Sequence, residues 1–375
     1  MTAGHGRLGR LAGEGVAIWV DGLGRERVMD GGLASLAARR SVTGALLGPV
    51  ALHAGLRAGV YDEQISLLAK HALTDGGTAD AAFALLVADA RLACEALLPT
   101  FESGRGWDGL VAVAPDLGAG PTAAGIHALV HRLVESVDRP NLLVTLPATR
   151  PGLAAATKAL AEGTGVVVGP VTNAADVAAA TEAYFAGLEL ALETGLEAGP
   201  ATSFLAYALS QTDTEVDKRL WAVGTDRSAS FRGRAAVAEA RVAYAAYEAL
   251  YAGARWKSIE KAVEGAQPQR VLWCATRARD PYYSETLYVD SLVTPGAVNA
   301  MTEQTMGVVA ESADITGDTL HGRFHENAEE TLAGIAAVGV DVEDVARTAG
   351  AAAAAKQETL WQTIHEILAT RIEAS

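Results

Sequence analysis

Short β-branched apolar runs alternate along the chain with long alanine-rich stretches, a pattern that predicts repeated strand–helix units around a parallel sheet. The expected strands are Val16–Asp21, Ser41–Leu46, Gly109–Pro115, Asn141–Pro147, Gly165–Val171, Ser203–Ser210, Arg270–Thr276 and Leu287–Val293. Eight of them point to a closed (β/α)8 TIM barrel with additional helices. Strands of such a barrel are covered on both faces, so a run such as Val166-Val167-Val168 reads as core. The expected helices are Tyr61–His71, Ala79–Leu98, Ala123–Val137, Ala174–Thr194, Asp213–Val223, Ala235–Tyr251, Asn327–Ala336 and Glu343–Ala374. The Ala351–Ala355 run favours helix, whereas Gly350 is a candidate break. No short-period repeat or Pro/Ser-rich linker divides the chain. The expectation is one domain over residues 1–375, with a C-terminal helical extension over about 325–375.

Composition narrows the function classes. With 375 residues and half of them apolar, the chain can bury a large core. No apolar run reaches the roughly 18 charge-free residues of a membrane span, and the N-terminus lacks a basic-then-apolar signal layout. Cys94 and Cys274 are too few for a disulfide framework and have no zinc-binding spacing, so a cytoplasmic location is expected. A net charge of −15 without a basic cluster speaks against a nucleic-acid partner. The expected partner is a small-molecule substrate, with no cofactor and no metal; oligomeric state is left open. Lysine is scarce: Lys70, Lys158, Lys218, Lys257, Lys261 and Lys356 are all of them.

Six stretches carry a family pattern. They are Ile18-Trp-Val-Asp-Gly-Leu-Gly-Arg-Glu-Arg27, Tyr61-Asp-Glu-Gln-Ile65, Asp138-Arg-Pro-Asn-Leu-Leu-Val-Thr-Leu-Pro-Ala-Thr149, Asp213-Thr-Glu-Val-Asp-Lys-Arg-Leu220, Asp280-Pro-Tyr-Tyr-Ser-Glu-Thr-Leu-Tyr-Val289 and Val298-Asn-Ala-Met-Thr-Glu-Gln-Thr305. In type and order they resemble the longer bacterial transaldolases across nearly the whole chain. The resemblance implies a barrel whose fourth strand carries a lysine that forms an imine with a ketose phosphate, aided by an acid/base pair and phosphate-holding cations.

Several positions depart from that pattern. Thr145 stands where the resemblance sets the lysine, and a hydroxyl cannot condense with a ketone. Asp21 matches the first-strand aspartate. Of the family's second-strand polar residues only Thr43 remains; on strand three Ala112 falls at the proton-relay glutamate, with Asp116 the one nearby carboxylate. Val167 and Gly169 replace an asparagine and a threonine on strand five. On strand six Ser210 and Gln211 fall at a serine and a phosphate-holding arginine, ahead of a retained Asp213. Arg279 matches the basic position after strand seven, and Arg277 adds a second cation. The changes gather at the expected active end rather than scattering over helices. None of the six lysines falls at an expected strand end.

Other chemistries are weaker. His127/His131 and His321/His325 have i,i+4 spacing but no HExxH context, His53 follows strand two, no nucleophile elbow surrounds Ser203 or Ser210, and Cys274 suits a small core position. The sequence therefore points to catalysis by Asp21 and Thr145, with Thr43, Ser210, Gln211, Arg277 and Arg279 binding substrate. The expected function is a repurposed enzyme of a specialised biosynthetic pathway, acting on a sugar-derived or partly apolar substrate by non-imine acid/base chemistry. C–C bond formation or cleavage, isomerisation and cyclisation all fit. The alternatives are a non-catalytic metabolite- or protein-binding member, and a pentose-phosphate transaldolase using a displaced lysine.

Overall fold

The computed structural model describes residues 6–70, 77–118, 120–195 and 201–374; His5 and His71 lie outside them. Its strands are β1 (Ala17–Asp21), β2 (Val42–Leu47), β3 (Leu110–Val113), β4 (Leu142–Leu146), β5 (Val166–Val171), β6 (Ser203–Ala208), β7 (Arg270–Cys274) and β8 (Val298–Met301). They close in sequence order into a (β/α)8 barrel, as the pattern predicts. The first seven helices are α1 (Arg7–Gly13), α2 (Arg25–Met29), α3 (Gly32–Arg40), α4 (Pro49–Ala58), α5 (Asp62–Lys70), α6 (Gly77–Ser103) and α7 (Ala123–Val137). Then come α8 (Arg150–Ala161), α9 (Ala174–Thr194), α10 (Ser210–Val223), α11 (Asp226–Ala229) and α12 (Ala235–Ala252). The last are α13 (Ala254–Ala262), α14 (Leu287–Ser291), α15 (Glu303–Ser312), α16 (Arg323–Ala337) and α17 (Val342–Glu373).

Three expectations are corrected. Leu287–Val293 is no strand: its first part is α14, and the eighth strand is Val298–Met301. The aromatic and β-branched content of 287–293 mimics a strand, but tertiary anchors decide otherwise. The Tyr288 hydroxyl donates to Asp213 Oδ2 at 2.8 Å, and Thr286 Oγ1 donates to Asp290 at 2.6 Å. The true β8 is only four residues, buried throughout, and lacks the β-branched signal. Ser210, expected at the end of strand six, is instead the first residue of α10. Gly350 does not break α17, which runs through it. No helix of the described residues is long and apolar enough to cross a membrane.

Two compact units share the chain, and each is described by itself. In Trp19–Thr145 with Ala353–Ser375, β2 and β3 lie on α6. Gly109, at φ +76°, permits the approach: a Cβ there would stand 2.2 Å from the Phe101 backbone nitrogen. Apolar side chains of α4, α5 and α6 receive Trp361, Ile364 and Leu368 of α17. Beside them lies a buried polar node. Arg25 pairs with Asp89, stacks 4.2 Å over the Tyr61 ring and donates to Leu85 O at 3.1 Å, while the Tyr61 hydroxyl donates to Asp89 at 2.7 Å. Burial pushes the Asp89 carboxyl up even with Arg25 beside it, so the pair's attraction does not fully offset desolvation.

In Met1–Ile18 with Leu146–Ala352, side-chain caps set the helix starts. Thr149 accepts the Gly152 N–H at 3.4 Å, Asn173 that of Asp176 at 2.9 Å, and Thr302 that of Thr305 at 3.2 Å. Asp213, the retained aspartate, joins three elements from α10: it accepts from Ala236 N at 2.8 Å and from the α14 tyrosine. Burial raises its carboxyl to about 6. Farther along α12, Glu248 accepts one ring nitrogen of His321 at 2.8 Å while Asp318 takes the other at 2.7 Å, with the Tyr244 ring edge-on at 5.9 Å.

Two outcomes follow from these nodes. Asp89→Ala leaves Arg25 buried without its counter-ion and is expected to lower unfolding free energy in urea by about 3–5 kcal/mol, whereas Tyr61→Phe costs about 1 kcal/mol. His321 has its pKa raised, first by the hydrogen bond to Glu248 and then by Asp318. A raised basic pKa stabilises the fold fully below the unfolded value of about 6.5 and loses that contribution as pH rises through the folded value. His321→Gln should therefore lower Tm at pH 6 and leave it nearly unchanged at pH 9, with an effect of about 1 kcal/mol or less because the ring is half-exposed.

Candidate active site

Strand register decides which residues share the barrel interior. In β2–β4 the pairs Gly44↔Leu110, Leu46↔Ala112 and Ala112↔Leu143 put these residues on one face. The opposite face, with Gly109, Val111 and Val113, is the one against α6. Trp19 belongs to the interior: a Cβ on Gly44 would lie 2.3 Å from the indole, so the missing side chain makes room for the ring. Two residues past Trp19 on the same face is Asp21, and two past Leu143 is Thr145. Both end up half-buried at the C-terminal ends of their strands, as does Leu46, while Ala112 is fully buried. Active sites of such barrels are built at those ends.

Asp21 is the one ionisable side chain on this face among the described residues of β1–β4. Burial pushes its carboxyl up from the ordinary range, opposed by the Gly22 N–H that it accepts. Thr43, expected to bind substrate, is placed differently. It is the second residue of β2, on the helix-facing side, and its hydroxyl is buried without a hydrogen-bond partner. Asp116, three residues beyond β3, holds the N–H of Gly118 at 3.0 Å and His365 Nε2 of α17 at 2.7 Å. This histidine pairing is invisible in the sequence because 249 positions separate the partners. His53 sits half-buried in α4, and the His127 and His131 rings of α7 meet edge-on at 4.6 Å.

On β5–β8 the pairs Val167↔Phe204, Phe204↔Arg270 and Ala206↔Leu272 mark one face, and a Cβ on Gly169 would meet that of Ala206 at 2.6 Å. Trp273 looks the other way, towards Tyr244 of α12 at 6.3 Å. The interior face is thus Phe204 and Arg270 at the start of their strands and, beyond them, Val167, Gly169, Ala206, Ala208, Leu272 and Cys274, small or aliphatic; Arg270 donates to Gly296 O at 3.1 Å. Cys274, the last residue of β7, is half-buried and in no disulfide.

The polar candidates in this unit come from the segments after the strands. Ser210 is buried and Gln211 half-buried in the first turn of α10, where the Ser210 N–H donates to Ala275 O at 3.4 Å and the Thr212 N–H to Leu209 O at 3.0 Å. Arg277 and Arg279 are exposed on the segment after β7. Arg277 donates to Gln304 Oε1 at 3.0 Å and lies 3.9 Å from Glu285; Arg279 makes no hydrogen bond or ion pair among the described residues. Lys158, Lys218, Lys257, Lys261 and Lys356 are all exposed on helices, and Lys70 is in α5.

Asp116 and His365 form a tether between the segment after β3 and the C-terminal helix. Asp116→Ala removes one part-buried hydrogen bond, worth about 0.5–1.5 kcal/mol. Amide exchange over Trp361–Ile372 should then quicken by up to about tenfold, while exchange in β2 and β3 stays as it is.

Comparison with known proteins adds ancestry. The family model described as Transaldolase/Fructose-6-phosphate aldolase matches residues 18–368. Transaldolase 1 of Streptomyces avermitilis is 38% identical over 97% of this chain and 95% of its own. The transaldolase of Thermobifida fusca is also 38% identical, over 98% of both chains. That of Mycolicibacterium smegmatis is 36% identical, again over 98% of both.

Proposed function

Because the chain belongs to the Transaldolase/Fructose-6-phosphate aldolase family, we propose that it is an enzyme of that barrel whose chemistry does not pass through an imine. The observation that carries the reading is Thr145, half-buried on the interior face at the end of β4 beside the face of Ala112. A lysine at this point would be partly desolvated and neutral enough to attack a ketone. A threonine hydroxyl orients a substrate oxygen instead. The exposed lysines on helices supply no substitute.

Asp21 is the acid/base group of this reading. Its raised carboxyl pKa brings it nearer the working range of a proton shuttle, and its place at the end of β1 suits contact with substrate. Thr145 holds a hydroxyl or carbonyl oxygen. Within the unit of residues 146–352, Ser210, Gln211, Arg277 and Arg279 are the groups suited to a polar or anionic ligand, and Thr43 supports β2 rather than touching the ligand. On the face that carries Asp21 and Thr145, the small apolar Ala112 favours a substrate with more apolar surface than a polyol phosphate, whose hydroxyls would be left short of partners. A sugar-derived compound undergoing isomerisation, cyclisation or C–C bond chemistry on an already activated partner fits these demands. Such a substrate belongs to a specialised biosynthetic route.

The relatives' name gives the second reading, ordinary transaldolase activity. Incubation with fructose 6-phosphate and borohydride, followed by mass spectrometry, separates the two. No lysine adduct is expected, and an adduct on any lysine would overturn the non-imine reading. Thr145→Lys alone should not create transaldolase turnover, because Ala112 supplies no proton relay. On a substrate found by thermal-shift screening, Asp21→Asn should cut kcat by about 10²–10⁴-fold; unchanged turnover would remove Asp21 from the mechanism.

A further inference from the structure

A second candidate site lies away from the strand ends, in the unit of residues 146–352. A cavity of about 670 Å³ opens between α12, α16 and the first turn of α17. It is an open groove, with Ala333, Ala336, Gly339 and Glu343 exposed along it, and its volume falls in the range of roughly 300–1,000 Å³ of small-molecule sites. Its wall is aliphatic, formed by Leu332, Ala333, Ala336 and Val340, and three acidic residues line it: Glu239 from α12, Glu343 from α17, and Asp341, whose Oδ1 already accepts the Asp344 N–H at 3.0 Å.

Glu239 is the telling group. It is half-buried and makes no hydrogen bond or ion pair with any described residue. Burial against the aliphatic wall, with Glu343 nearby, raises its carboxyl to about 7. Two guanidiniums that reach this segment are already committed: Arg219 holds Asp344 at 2.6 Å and donates to Thr348 at 3.1 Å, and Arg347 donates to Asp344 at 2.9 Å. A carboxylate left in an apolar wall without a counter-charge is a standing cost unless something from solution supplies one.

We propose that this cavity binds an aliphatic amine, its ammonium against Glu239 and its alkyl chain along Leu332, Ala333, Ala336 and Val340. An ammonium gives Glu239 a charge-assisted hydrogen bond and relieves its repulsion with Glu343. An alkyl chain covers the wall that water wets poorly. An alkyl anion meets two like charges, and a neutral alcohol of the same length gains the wall but not the charge. A hydrated inorganic cation gains the charge but not the wall. The site is independent of the chemistry proposed for Asp21 and Thr145, and its test needs no enzymatic turnover.

The full chain would be titrated at pH 8 with n-hexylamine, hexanoate, hexanol and magnesium chloride, following binding by calorimetry and by shifts of the Ala333, Ala336 and Val340 amide signals. Hexylamine should saturate these shifts, with the other three about tenfold or more weaker. Glu239→Gln keeps the side-chain shape and should weaken hexylamine by about tenfold, and Glu343→Gln by a smaller factor. Ala336→Leu, at an exposed helical position, fills the cavity and should abolish binding while Tm is kept. Equal affinity for hexanol, hexanoate or magnesium, absence of saturable hexylamine binding, or undiminished binding by either Glu239→Gln or Ala336→Leu would each overturn the proposal.

Discussion

Burial of each strand on two faces is the constraint from which the rest of this structure follows. A parallel strand packed between helices and the barrel interior has almost no place for a charge along its length. Chemistry is pushed to the last residue of the strand, where solvent first reaches it. Asp21 and Thr145 sit at or next to such ends, and below them the interior is Trp19, Gly44, Leu110 and Leu143. The same constraint explains why glycine recurs at close approaches. Gly44 yields to the Trp19 indole, and Gly109 to the backbone of α6. Side-chain volume is traded between neighbouring elements, so a wide residue on one strand requires an absent one on the next.

Polar groups that are buried despite this are handled in two ways. Arg25, Asp89 and Tyr61 satisfy one another, as do Asp213, Tyr288 and the Ala236 amide. These nodes tie elements that adjoin in space but not in sequence, and removing one member strands the others. Asp21 and Glu239 differ. Each is desolvated, Asp21 has only a backbone amide to oppose that, and Glu239 has no partner among the described residues. Unpaired, desolvated carboxyls are poor structural material and good candidates for meeting a ligand.

Much of the fold was legible because its signal is local. Runs such as Val166–Val168 and the helical stretches Ala123–Val137 and Ala174–Thr194 declare themselves by composition and period, and the observed elements agree within a residue or two. The eighth strand was hidden because four buried residues carry little pattern, while the neighbouring α14 owes its form to Asp213, 75 positions away from Tyr288. At the candidate site, the residues themselves could be read by resemblance, but their facing could not. Thr43 and Leu46 look equally placed in the sequence, yet register sends one towards the helices and the other inward. The same limit concealed the Asp116–His365 tether, since nothing in a short motif announces a partner on the last helix.

Trp19 gives the interior a floor. Its indole lies across Gly44, and Asp21 follows two residues later, about 6.6 Å higher along the strand. A ligand entering from the strand ends is stopped by the indole within one side-chain layer of the carboxylate. The space below the Asp21 carboxylate on this face is thereby a few atoms deep, so the volume open to this carboxylate lies outward, past the strand ends.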